Sequence, residues 1–263
     1  MRLMPQQRFD EAPAAMRRAA CEFQSRFGIA FRTLTYFSEH TLHALHKANG
    51  DDDEMLGSVL IASKDDEGIL ERMARLRHVA NLPKPALADR LEYYDALREI
   101  YRRIVVGVPA AERIIVAPER EGRILAQSLG MLRDGVDLAP HAKRIPFQHG
   151  LLVGVSACSP AKRAQGLLFF DGAIASGATL ISLIDLLAEP GVPVVICSVH
   201  AAREGLRAIL RHAAQANLDV RIHVGHVTEG LSPKFYAVGT SASDLIVGDL
   251  GDTIAPVAAA PEA

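Results

Sequence analysis

Residues 169–187 read FFDGAIASGATLISLIDLL: two bulky apolar residues run into Asp171, small residues follow, and a helical pattern resumes. An acid, two glycines and two hydroxyls gather at one strand-to-helix corner. Small residues let backbone N–H groups approach an anion closely, and a helix N-terminus adds unpaired donors and about half a positive charge. Ser176 and Thr179 add hydroxyls. Asp171, expected at the end of a strand over 166–170, offers an acceptor pair that the vicinal hydroxyls of a sugar would satisfy. Phosphate and ribose together describe a phosphoribosyl group. The corner is not a P-loop, because no Lys follows the glycine where that motif needs one, and it lacks the dinucleotide G-x-G-x-x-G. The same residues also suit a corner without a ligand, in which Ser176 caps the helix, Gly172 and Gly177 make the turn, and Asp171 accepts from loop amides.

The elements around this corner alternate. Short apolar or β-branched runs fall at 113–117, 166–170, 192–199, 220–225 and 244–248, and helical segments such as GRILAQSLGMLRD, GATLISLIDLLAE and REGLRAILRHAAQAN separate several of them. Near-continuous apolar strands between helices predict an α/β fold, a mostly parallel sheet flanked by helices, with ligands outside the carboxyl ends of the strands. Before it, SEHTLHALHKA, GILERMARLRHV and ALADRLEYYDALREIYRRIV keep a helical spacing. The expected organisation is an α-rich N-terminal extension over 1–105, an α/β core over 106–254 and a flexible tail over 255–263. Residues 1 to about 30 read as an arm or short helix.

Composition narrows the partners. The 263 residues carry 29 basic and 31 acidic side chains, a formal charge of −2, so no bulk field attracts nucleic acid or an anionic membrane. Cys21, Cys158 and Cys197 are odd in number and far apart, which gives neither a disulfide framework nor metal-ligand spacing. No apolar run reaches transmembrane length. These features read as a soluble cytoplasmic protein acting on small molecules, without nucleic acid or membrane as partner.

With these residues in view, the chain resembles the type I phosphoribosyltransferases, and among them the uracil phosphoribosyltransferases. That family carries D-P-M-L-A-T-G-G-[ST] before a helix rich in I-D-L-L, and this chain has DGAIASGATLISLIDLL. The family's A-A-P-E-G before an apolar helix is matched by AAREGLRAIL at 201–210. Its E-G-L is matched by Glu229, Gly230 and Leu231, and its G-L-G-D-A-G-D-[KR]-I by VGDLGDTI. The four landmarks keep their order over 166–254. Upstream, RIIVAPEREGRILAQSLGML stands where the family has V-P-I-L-R-A-G-L-G-M, which places Arg120 and Gly122 at its Arg and Gly with one residue missing.

The resemblance implies transfer of the 5-phosphoribosyl group of phosphoribosyl pyrophosphate, with magnesium, to a ring nitrogen of uracil or a related heterocycle. Carried over by position, Ala175, Ser176, Gly177, Ala178 and Thr179 hold the 5′-phosphate, Asp171 meets the ribose hydroxyls, Arg120 faces the pyrophosphate, and Ala173 joins them in binding the donor. Asp249 lies near ribose or metal, and Val247, Gly248, Asp249 and Leu250 form the base-binding set; no side chain ligates the metal by itself. Asp171, Asp249 and Arg120 form the implied catalytic set. A homodimer or higher homo-oligomer is implied as well. The chain departs from the family at Gly172, which replaces its Pro, and at Ala242 and Leu245, which stand where its Tyr and Pro would. The acceptor base therefore stays open, as does a non-catalytic nucleotide-binding regulatory module. Elsewhere, His40, His43 and His46 read as surface or packed histidines, His223 and His226 as packing, and residues 51–54 as a solvated acidic turn. Lys143, Arg144, Lys162 and Arg163 are basic residues around the corner.

Overall fold

The computed structural model describes residues 14, 17, 18, 21, 22, 25, 56–80, 82, 86–109, 113–118, 121–132, 141–145, 150–154, 166–228, 230, 231, 237 and 238. In chain order its strands are β1 (Leu60–Ile61), β2 (Ile114–Val116), β3 (His141–Ile145), β4 (Gly150–Gly154), β5 (Leu167–Ile174), β6 (Val194–Ala202), β7 (Val220–Thr228), β8 (Gly230–Leu231) and β9 (Ala237–Val238). Its helices are α1 (Glu67–Ala80), α2 (Leu87–Ile104), α3 (Glu121–Ser128), α4 (Ala178–Leu187) and α5 (Arg203–Ala216). Five strands form one sheet in the order β1-β7-β6-β5-β2, with every pairing parallel. The antiparallel pairs β3–β4 and β8–β9 stand beside it.

Helices cover both faces of that sheet. On one face α4 and α5 pack with Leu167, Phe169, Val194, Ile196, Ile222 and Val224. On the other, α1, α2 and Ala126 of α3 pack with Ile115, Leu168, Phe170, Val195 and Cys197. Burial on two sides is why β5 and β6 read as unbroken apolar runs. The helices show one apolar stripe each: α1 buries Ile69, Met73, Leu76 and Val79, and α2 buries Tyr93, Leu97, Ile100 and Ile104 at three- and four-residue spacing. Their ends are set by local chemistry. Asp66 Oδ1 accepts from Gly68 N at 2.9 Å at the start of α1, and Asp89 Oδ2 accepts from Ala86 N at 2.7 Å at the start of α2. Helix α5 stops at Asn217, which takes the left-handed conformation at φ 54°.

The expected parallel, helix-flanked sheet is present, and its strands run further than the apolar runs indicated. The run at 166–170 belongs to a strand that continues to Ile174, so Asp171 lies inside β5 rather than at its end. The runs at 192–199 and 220–225 likewise extend to Ala202 and Thr228. Polar residues at Asp171, Ser198, His200 and His226 end the apolar pattern while pairing continues through them. Residues 56–104, grouped in sequence with the helical part, supply the edge strand β1 and the two helices that cover one sheet face. Among the described residues no helix is long and apolar enough to cross a membrane. The run at 244–248 and the tail at 255–263 lie outside the described residues.

Candidate functional site

The corner singled out in the sequence is a strand–turn–helix at the carboxyl end of the sheet. After Ile174 the chain makes a three-residue turn, Ala175, Ser176 and Gly177, and enters α4 at Ala178. Gly177 is the N-cap at φ 77°, a backbone state costly for any residue with a Cβ. It carries no side chain to cap the helix, so the first N–H groups of α4 depend on other acceptors. Ser176 Oγ accepts from Ala178 N at 3.3 Å, which leaves its hydroxyl proton for a further acceptor. Ser176 is therefore not the N-cap that the ligand-free alternative made it; it stands one residue earlier and meets the first helical amide. Ala175, Ser176 and Ala178 are nearly sealed, at 8%, 7% and 3% exposure, whereas Asp171, Ala173 and Thr179 are half-buried and form the accessible side of the corner.

Neighbouring elements close on this segment through its backbone. A Cβ on Gly205, in the first turn of α5, would stand 2.1 Å from Ala175 O, and one on Gly177 would stand 2.9 Å from Gly205 O. Ala175 also packs on Ala202, the last residue of β6. On the preceding side, a Cβ on Gly122 of α3 would lie 2.3 Å from Phe170 O. Tyr101 of α2 donates its hydroxyl to Asp171 O, with its ring 5.6 Å from that of Phe170. Ser198 Oγ lies 3.2 Å from Gly172 O. Sequence reasoning gave Tyr101 and Ser198 no role. The only signal for Ser198 was a lone hydroxyl in an apolar strand; Tyr101 had none.

Of the residues expected to bind, the structure brings together Asp171, Ala173, Ala175, Ser176, Gly177, Ala178 and Thr179. Arg120, Val247, Gly248, Asp249 and Leu250 lie outside the described residues, as do Glu229, His40, His43, His46, Lys162, Arg163 and residues 51–54. Among the described residues no group of three or more His, Cys, Asp or Glu side chains is arranged to hold a metal. His223 and His226 are engaged in packing contacts: His223 Nδ1 is 3.1 Å from Ile104 O, and His226 Nδ1 is 3.1 Å from Ser63 Oγ. His212 Nε2 meets Asp185 Oδ1 at 2.7 Å and ties α5 to α4. Cys197 is fully buried, and burial pushes its thiol up to about 12 against the opposing pull of Arg113. A thiol so placed is no nucleophile at neutral pH.

No family model matches the chain. Among solved structures, the AQ2163 protein from Aquifex aeolicus is similar at 17% identity and a TM-score of 0.53, over 72% of this chain and 94% of that one. At that identity the likeness is one of fold. Two further structures align at lower scores. The adenine phosphoribosyltransferase of Giardia lamblia, complexed with 9-deazaadenine, has 22% identity and a TM-score of 0.36 over 57% of this chain and 88% of its own. The orotate phosphoribosyltransferase of Mycobacterium tuberculosis H37Rv, complexed with inorganic phosphate, has 12% identity and a TM-score of 0.37 over 61% and 96%.

Proposed function

We propose that this chain moves the 5-phosphoribosyl group of phosphoribosyl pyrophosphate to a ring nitrogen of a nucleobase, with uracil or a related heterocycle as acceptor. The observation that carries the reading is the corner itself: a half-buried carboxylate in β5, a left-handed glycine, and a helix with no side chain at its N-cap. The first amides of that helix and the Thr179 hydroxyl suit a phosphate monoester at the positive end of α4. Asp171 suits a pair of ribose hydroxyls. In the reaction the bond from ribose C1 to the pyrophosphate oxygen breaks, a C1–N bond forms, and the acceptor nitrogen gives up its proton. The transition state gathers positive charge on the ribose ring and negative charge on the leaving phosphates, so the protein's task is positioning and electrostatic stabilisation. In this reading the Asp171 carboxylate stabilises the positive charge that develops on the ribose.

Arg120 is the proposed partner of the pyrophosphate, Asp249 of the ribose, and Val247, Gly248 and Leu250 of the base. Magnesium, when bound with the donor, neutralises pyrophosphate charge. Phosphate oxygens plus one or two carboxylates are its usual company, and Asp171 is the carboxylate the corner would offer it. The test is purified protein given phosphoribosyl pyrophosphate, magnesium and a panel of bases. Pyrophosphate release dependent on one base is expected, and Asp171→Asn should lower kcat/KM for the donor by roughly 100-fold, about 2.7 kcal/mol, while the fold persists. Nucleotide binding without release for any base replaces catalysis with a regulatory binding module. Unchanged donor kinetics in Asp171→Asn removes that residue from the site.

A further inference from the structure

The three central strands share one line of broken pairing just before the corner. The β5–β6 register runs from Leu167↔Val194 to Asp171↔Ser198 and resumes at Ala173↔His200. The β6–β7 register runs to Ser198↔Val224 and resumes at His200↔His226. Gly172, Val199 and Gly225 are the residues passed over. Side-chain alternation shifts at the same line: Phe170 and Ile174, four residues apart, pack on opposite faces, and so do Val199 and Ala201, two apart. A regular strand would keep each of those pairs on one face. Gly225 makes room for the break, since a Cβ there would stand 2.4 Å from Val199 O.

Beside this line, side-chain hydroxyls reach two successive carbonyls of β5. Tyr101 donates to Asp171 O, and the single Ser198 hydroxyl proton is shared between His200 O at 2.9 Å and Gly172 O at 3.2 Å, tying β5 and β6 together across the line. Tyr101 and Ser198 are both at 0% exposure, so water offers no ready substitute for either donor. Each hydroxyl adds a donor to a buried carbonyl, and a hydrogen bond made there favours one orientation of the peptide plane that carries it. The planes concerned flank Gly172, whose missing Cβ leaves its own dihedral angles the least restrained in the strand.

We infer that Tyr101 and Ser198 are positioning residues for the corner. By fixing the peptide planes at Asp171 and Gly172 they set where the Asp171 carboxylate points and where the turn at 175–177 begins. Neither residue touches the ligand. The phosphoribosyl reading enters only in the second arm of the test.

In the first arm, amide hydrogen exchange is followed without ligand in the full chain carrying Tyr101→Phe or Ser198→Ala. Exchange at Gly172, Ala173 and Gly177 is expected to accelerate about tenfold while Leu183, deep in α4, keeps its rate. Equal acceleration at Leu183, or none at the corner, overturns the inference. In the second arm, phosphoribosyl pyrophosphate affinity is measured for Tyr101→Phe in the wild-type and Asp171→Asn backgrounds. A loss of about tenfold in the first background and none in the second is expected, because the hydroxyl acts through Asp171. The same loss in both overturns it. Absence of binding by the wild-type protein defeats the proposed function and leaves the exchange arm to decide this inference.

Discussion

Gly205→Ala tests the closure of the corner most directly. The added Cβ would stand 2.1 Å from Ala175 O, 3.0 Å from Ala175 C and 3.1 Å from Ile174 Cγ2. A carbon and a carbonyl oxygen rest at about 3.3 Å, so α5 or the turn must move by roughly 1 Å. The nearest obstacle is main chain, which cannot swing aside as a side-chain end can. Overpacking of this kind costs about 1–3 kcal/mol, and replacing a helical glycine returns about 0.5–1 kcal/mol. The net expectation is a loss of about 1–2 kcal/mol, a fall in melting temperature of several degrees for a domain of this size. Gly68→Ala in α1 is the comparison, because its Cβ would meet side-chain ends rather than main chain, the Arg72 guanidinium at 2.7 Å and the Asp66 carboxylate at 3.0 Å, and the cost there is limited to their bonds to the Gly68 backbone. Calorimetric melting of the two variants beside the wild type checks the expectation, and donor affinity read on Gly205→Ala should fall with stability. Equal or greater stability of Gly205→Ala, in step with Gly68→Ala, would refute the close approach of α5 to the turn.

Gly177→Ala forces a Cβ into a left-handed backbone at φ 77° and to within 2.9 Å of Gly205 O; it should cost about 1–3 kcal/mol in urea denaturation and weaken anion binding at the corner, and wild-type stability would refute the assigned turn. Cys197 should resist thiol reagents at pH 8 in the native protein and react once urea unfolds it, with native reactivity at that pH as the contrary result. Its folded value of about 12 lies above the ordinary 9.0, so the folded state holds this proton longer than the unfolded chain does. The stability that difference contributes is complete below pH 9 and is lost as pH rises from about 9 to about 12. Cys197→Ala should flatten that part of the stability profile.

The fold class was legible because strands buried on both faces leave an imprint of continuous apolar runs, as in residues 167–170 and 194–197. The strand ends were not, because Asp171, Ser198, His200 and His226 interrupt the runs without interrupting the sheet. A polar residue inside a buried strand is tolerated when a specific partner meets it. Such partners come from far away in the chain, as His226 does from Ser63 at a separation of 163 residues. The corner's small residues were equally legible, since glycine, alanine and serine next to a helical pattern carry their own signal. What packs on them was hidden. Gly205 and Gly122 look like ordinary helical glycines until the helices dock, and Tyr101 sits 70 residues before the carbonyl it serves.

A turn that holds an anion through its amides has to satisfy two demands that pull apart. It needs small residues so that the ligand can come close, and it needs rigidity, because an anion cannot be gripped cheaply by amides that must first be ordered. Small residues have no side chains with which to anchor themselves. In this chain the anchoring comes from neighbouring elements and falls on the carbonyls of Phe170, Asp171, Gly172 and Ala175: Gly122 of α3 lies against Phe170 O, Tyr101 of α2 donates to Asp171 O, Ser198 of β6 shares its hydroxyl between His200 O and Gly172 O, and Gly205 of α5 lies against Ala175 O. Three of those contacts come from helices on opposite faces of the sheet, α2 and α3 on one and α5 on the other. No single face can therefore shift without straining the corner, and small-residue content, usually a source of freedom, here coexists with a fixed geometry.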